Sequence, residues 1–178
     1  MIIREMTDSD LGAVLEVERR AFESKTEADL TRDLLADPSA APRLSLVALE
    51  GGRIVGHALF TQASVSGSPP RPRASVLAPL AVVPEAQRQG IGAALMHSGL
   101  RRLAEQGIEL VFLVGHVAYY PRFGFRPAAP LGFVAPLAIP PEHADAWMVC
   151  PLRPGAADAA SGPVAWADTF HRPEYAAG

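Results

Sequence analysis

The 178-residue sequence contains one cysteine (Cys150), one lysine (Lys25) and no asparagine. A single thiol excludes an intramolecular disulfide framework and every multi-cysteine zinc pattern. The five histidines (57, 97, 116, 143 and 171) include no pair three or four residues apart, so a helical two-histidine metal site is excluded. No Gly-x-Ser-x-Gly segment occurs, which argues against a serine hydrolase of the nucleophile-elbow type. Long apolar runs are missing too. Pro127 to Pro141 is uncharged, but it is interrupted by five prolines and is too short to span a bilayer. Met1 to Asp10 alternates charged and apolar residues and lacks the apolar core of a secretory signal. A cytoplasmic chain is therefore expected. Basic patches are also scarce: net charge is −3 and the tightest cluster is Arg101-Arg102, so neither nucleic acid nor a membrane is an expected partner. The excess of arginine over lysine reads as genome composition.

What is present is the composition of a globular domain, with 49% hydrophobic and 20% charged residues. At this length one domain buries roughly 70% of its unfolded surface and needs neither disulfide nor metal to hold together. Ile2 to Met6 reads as a short strand, and Thr7 to Asp10 supplies helix N-cap candidates. Leu11, Val14, Leu15, Glu18 and Phe22 follow at helical spacing. A second helix is predicted from Thr26, with Asp29 as capping-box partner, to about Asp37. Leu44 to Leu49 and Ile54 to Phe60, joined through Gly51-Gly52, predict a hairpin. Val76 to Val83, Ile91 to Gln106 and Leu110 to Val114 predict a strand, an amphipathic helix and a buried parallel strand, a βαβ unit. Trp147 to Leu152 reads as a last strand. The expected organisation is one α/β domain over 1–153 and a tail over 154–178, packed on the domain or partly disordered.

The chemistry concentrates between the strand and the amphipathic helix, in Gln87-Arg88-Gln89-Gly90-Ile91-Gly92. Glycines there let the backbone turn sharply and approach a ligand closely. The helix that follows aims its free N–H groups and positive dipole end at the same place, which makes a phosphate cradle. No acid lies between Ala86 and Arg102 to repel an anion. A Walker loop is excluded because the only lysine is Lys25, and a dinucleotide fingerprint lacks its third small residue, Leu95 standing there.

The pattern Gln/Arg-x-x-Gly-x-Gly/Ala, placed after an apolar strand ending Val82-Val83-Pro84, resembles the acetyl-coenzyme A signature of the GNAT superfamily of N-acetyltransferases. Downstream, Tyr119-Tyr120-Pro121-Arg122-Phe123-Gly124-Phe125 resembles the family's Tyr-x-x-x-Gly-Phe element, and its form is most similar to the subgroup typified by YhbS. The resemblance covers roughly residues 1–152. It implies a GNAT fold, a central mixed and splayed β-sheet flanked by helices. It also implies acetyl-CoA as acyl donor, with no metal, and a cofactor arm paired with Leu80, Ala81 and Val82. Gln87, Arg88, Gln89, Gly90, Ile91, Gly92 and Ala93 would hold the pyrophosphate. The implied reaction is direct attack of an amine on the thioester, with a primary amine of a small molecule, or less readily a peptide, as acceptor. A homodimer is compatible with it.

Tyr120 occupies the family's general-acid position, with Tyr119 as the neighbouring alternative. Many family members carry an acid on the strand corresponding to 76–83, and this strand has none. His116, just past the next strand, is the leading candidate for the base because imidazole titrates near neutral pH. His57 and Glu23 are weaker candidates. The rival reading is a non-catalytic acyl-CoA-binding module of the same fold.

Overall fold

The apolar runs of the N-terminal half become β1 (Ile2–Glu5), β2 (Leu44–Glu50), β3 (Arg53–Val65) and β4 (Ala74–Val82), an antiparallel series in the computed structural model, which describes residues 1–67 and 69–176. Between β1 and β2 lie α1 (Leu11–Phe22) and α2 (Thr26–Ala36), and α3 (Ile91–Glu105) follows β4. The remaining strands are β5 (Leu110–Val114), β6 (Arg126–Pro127), β7 (Phe133–Val134), β8 (Trp147–Pro151) and β9 (Gly162–Trp166), before a short α4 (Pro173–Ala176). The sheet order is β1-β2-β3-β4-β5-β8-β6, with β9 pairing both β3 and β7. Among the described residues no helix is long and apolar enough to cross a membrane.

Strand alternation divides the core between two faces. On β3, Gly56 and Phe60 face α3: a β-carbon on Gly56 would stand 3.0 Å from Leu95 and 3.1 Å from Ile91, and one on Gly99 would overlap the Phe60 ring. His57 and Leu59 face the other way, toward α1 and α2, where Glu18 and Leu34 are buried. The second face also gathers Phe112, Trp147 and Trp166, with Phe112 and Trp147 stacked 5.1 Å apart. Each large apolar side chain buried this way contributes about 1.5–3 kcal/mol.

One pairing sets up everything downstream. Parallel strands β4 and β5 pair only from Ala74–Val76 to Leu110–Phe112, although β4 continues to Val82 and β5 to Val114. The two strands therefore splay, as expected for this mixed sheet. The predicted helix boundaries at Leu11, Thr26 and Ile91 are also present. Capping differs at α2, however. Lys25 is already helical, so Thr26 N–H donates to Ser24 Oγ (3.1 Å), and Asp29 turns to Arg32 at 3.0 Å.

The segment after residue 153 carries structure. β9 takes the edge of β3 that β2 leaves free beyond Leu44, pairing Ala63–Val65 with Val164–Trp166. Past β9, Asp37 accepts hydrogen bonds from Thr169 N–H (3.0 Å) and Thr169 Oγ1 (2.7 Å), which ties the C-terminal segment to the end of α2. Burial alone would raise the Asp37 carboxyl, but these bonds and those from Ser39 outweigh it and hold it at about 2.

Candidate functional site

The chain leaves β4 through a short 3₁₀ turn, Pro84–Ala86, and enters α3 at Ile91. Two glutamine side chains brace this connection from within: Gln87 Nε2 donates to Val82 O (2.9 Å) and Gln89 Nε2 to Glu85 O (3.1 Å). Arg88 and Gly90 both adopt left-handed backbone, with φ of +63° and +84°. Among the described residues no atom lies within 4 Å of where a β-carbon on Gly90 would be, so its backbone angle, not crowding, calls for glycine. The space above it is open.

The first helical hydrogen bond runs from Ala94 N–H to Gly90 O, 3.0 Å long. The N–H groups of Ile91, Gly92 and Ala93 consequently have no partner within the helix and point, with the positive dipole end, into that open space. Glu85, the nearest acid, is occupied by Arg20 of α1, whose Nη2 lies 2.7 and 2.6 Å from its two carboxylate oxygens; this bond lowers the Glu85 pKa. A positive, unobstructed cradle results, and it fits a pyrophosphate.

Beside the cradle, Leu80, Ala81 and Val82 pair with Ala58, His57 and Gly56 on β3, and among the described residues no strand pairs with them on the β5 side. Backbone groups facing that gap need partners. An extended ligand arm would supply them.

The second wall of the gap is built after β5. Tyr119 N–H and Tyr120 N–H both donate to His116 O (3.1 and 3.3 Å), which folds the tyrosine segment back over α3. Tyr119 comes to rest with its hydroxyl 2.9 Å from the β-carbon position of Gly92, under the Arg122 guanidinium at 4.6 Å. Tyr120 lies against Gly115 and Leu113 at the end of β5, where a side chain on Gly115 would overlap its ring. Burial pushes the Tyr120 phenol up to about 12, with Tyr119 adding to the effect. Tyr119 is also raised by burial, partly offset by Arg122. The two segments singled out in the sequence thus meet across the splay.

Residues 2–128 match the family profile described as the acetyltransferase (GNAT) domain. The chain belongs to the GNAT family. It is 48% identical over 142 residues to the N-acetyltransferase YjhQ of Escherichia coli strain K12, itself uncharacterized, covering 79% of this chain and 78% of that one. Its fold matches the crystal structure of the GNAT family N-acetyltransferase YhbS from Escherichia coli in complex with CoA, with a TM-score of 0.86 and 32% identity over 97% of this chain and 92% of that one. A GNAT family acetyltransferase from Brucella melitensis in complex with acetyl-CoA matches with a TM-score of 0.75 and 28% identity, covering 95% and 97% of the two chains.

This GNAT protein has no acid on β4, and the three other base candidates lie in different surroundings. The His116 side chain is exposed at the mouth formed by the end of β5. Glu23 is exposed and ends α1 in left-handed backbone, φ +52°. His57, by contrast, is fully buried with both ring nitrogens engaged: Nδ1 lies 2.6 Å from Glu18 Oε1 and Nε2 lies 2.8 Å from Ser45 Oγ. Glu18 lies outside the candidates that the sequence offers. The available signal was an acid on the apolar stripe of α1, opposite a histidine in an otherwise apolar strand.

Proposed function

We propose that this protein is an acetyl-CoA-dependent N-acetyltransferase whose acceptor is a primary amine on a small molecule. The meeting of Tyr119 with Gly92 supports this reading most directly, because it brings the anion cradle and the tyrosine turn together at one gap in the sheet. In this reading the backbone N–H groups from Arg88 to Ala93 hold the pyrophosphate, and the open edge of Leu80 to Val82 pairs with the pantetheine arm. Gln87 contributes indirectly by holding the turn to Val82.

Bound acetyl-CoA supplies an activated acetyl thioester. The acceptor nitrogen forms a bond to the carbonyl carbon, the carbon–sulfur bond breaks, and Tyr120 Oη donates a proton to the departing thiolate. A phenol with a pKa of about 12 is protonated at neutral pH and is suited to that role. His116, open to solvent at the mouth, takes up the ammonium proton of the acceptor before attack, and the second nitrogen proton is lost as the amide forms, restoring the Tyr120 phenol. The activity belongs in the cytoplasm, where the buried lone thiol of Cys150 stays reduced.

Release of free coenzyme A thiol, measured with a panel of small primary amines, tests this reading. Amine-dependent release that falls about 100-fold in Tyr120→Phe is expected. Tight acetyl-CoA binding without release for any amine would instead identify an acyl-CoA-binding module, the reading that the missing β4 acid favours.

A further inference from the structure

The buried chain Glu18–His57–Ser45 does not lead to the β4–β5 gap. His57 points Nδ1 to α1 and Nε2 to β2, and neither nitrogen is left over for β4. Its far end is Ser45, which is only partly buried, while Glu18 and His57 are both 0% exposed. Ser45 lines a cavity of about 530 Å³ between the start of α1, the second half of α2, the end of β1 and the start of β2. That volume lies within the range of small-molecule sites. Met6, Leu11, Leu35 and Ala36 give it an apolar wall, Glu5, Asp8 and Arg32 line it as charged groups, and Arg43 adds a guanidinium held in place by Leu34 O (3.0 Å) and Asp37 O (2.7 Å).

The order of atoms matters more than the residue types. Burial raises the Glu18 carboxyl and its hydrogen bond with His57 opposes that rise; in the ionised form the carboxylate at Nδ1 holds the imidazole in the tautomer that carries its proton there, leaving the Nε2 lone pair to face the hydroxyl. Among the described residues Ser45 has one other side-chain partner, Met6 Sδ at 3.2 Å, and a thioether is a weak acceptor. With Nε2 unprotonated, the hydroxyl proton has the imidazole nitrogen at 2.8 Å as its stronger acceptor. A histidine that needed nothing more than satisfied nitrogens would not require its serine to face a cavity.

We propose that Ser45, His57 and Glu18 form a second reactive site, at which Ser45 is a nucleophile toward small carboxylic esters with an apolar acyl group. Ser45 Oγ bonds to the ester carbonyl carbon as its proton passes to His57 Nε2. The proton then moves to the leaving alcohol oxygen as the carbon–oxygen bond breaks. Water, giving a proton to the same nitrogen, attacks the acyl-serine, and the carboxylic acid departs with Ser45 restored. Glu18 stabilises the imidazolium, and Arg43 lines the same cavity as Ser45. The site is independent of acetyl transfer and stands or falls separately from it.

The test uses the full chain with two probes, an alkyl fluorophosphonate followed by peptide mass mapping, and p-nitrophenyl butyrate with nitrophenolate release followed optically. One adduct on Ser45 and measurable ester hydrolysis are expected, both lost in Ser45→Ala with acetyl-CoA binding and melting temperature unchanged. Glu18→Gln is expected to slow labelling about 100-fold or more. A chain that takes up no fluorophosphonate on Ser45, or whose esterase activity persists in Ser45→Ala, overturns the proposal. If Glu18→Gln does not fold, the Ser45→Ala comparison alone decides.

Discussion

The hydroxyl of Tyr119 stands 2.9 Å from the position a β-carbon on Gly92 would take. The first turn of α3 and the turn after β5 are separate in sequence, yet each sets the space available to the other. The backbone of Gly92 can lie open to a ligand because no side chain there pushes the tyrosine aside.

Replacing Gly92 with valine is therefore expected to displace Tyr119 and weaken acetyl-CoA binding at least about tenfold, a loss of about 1.4 kcal/mol. Gly90→Val reaches the same end differently: it meets no neighbour but must hold φ at +84°, which costs roughly 1–2 kcal/mol. Calorimetric titration of acetyl-CoA into both variants measures this. Wild-type affinity in both would remove the cradle from the binding site.

Tyr120→Phe is expected to lower kcat about 100-fold with little change in acetyl-CoA affinity, since only the proton donor is lost. The pH profile carries a second signature. The protonated phenol is the active form and is lost only as pH rises through about 12, so no loss of rate attributable to this group should appear below about pH 10. An alkaline fall near neutral pH that disappears in Tyr120→Phe would contradict this assignment.

At Gly99 even a methyl group would overlap the buried Phe60 ring. Gly99→Leu should force α3 away from β3 and destabilise the protein by about 1–3 kcal/mol. The melting temperature should fall by about 2–4 °C per kcal/mol. An unchanged melting temperature would show that α3 and the sheet accommodate the side chain freely.

Asp37 fastens the C-terminal segment. Asp37→Ala leaves Thr169 without its acceptor and is expected to cost about 1–3 kcal/mol, with faster amide exchange from residue 162 onward. Because the folded carboxyl is depressed to about 2, its contribution is complete above the unfolded value near 4 and disappears as pH falls through 2. Stability curves of wild type and variant should converge over that interval.

Much of this arrangement was legible before the structure. The cradle is a contiguous segment whose glycines and following helix act locally, and the tyrosine turn is similarly short. Both could be read from neighbouring residues. The β4–β5 splay was implied by resemblance, and the limited pairing of Ala74–Val76 bears it out. Less legible was the capping of α2, where Ser24 and not Thr26 supplies the side-chain acceptor. A residue's place in a cap depends on the backbone angles of its neighbour, and sequence spacing does not report those.

The elements, their apolar faces and the glycine-bearing turn before α3 follow from the order of amino acids alone, because hydrophobic period, glycine freedom and helix ends are properties of neighbouring residues. Tertiary structure alone decided which distant groups meet. It paired His57 with Glu18, 39 residues away, and Asp37 with Thr169, 132 residues away, and it added β9 to β3. Such contacts depend on strand register and on the path of the chain around the sheet, which no local period encodes.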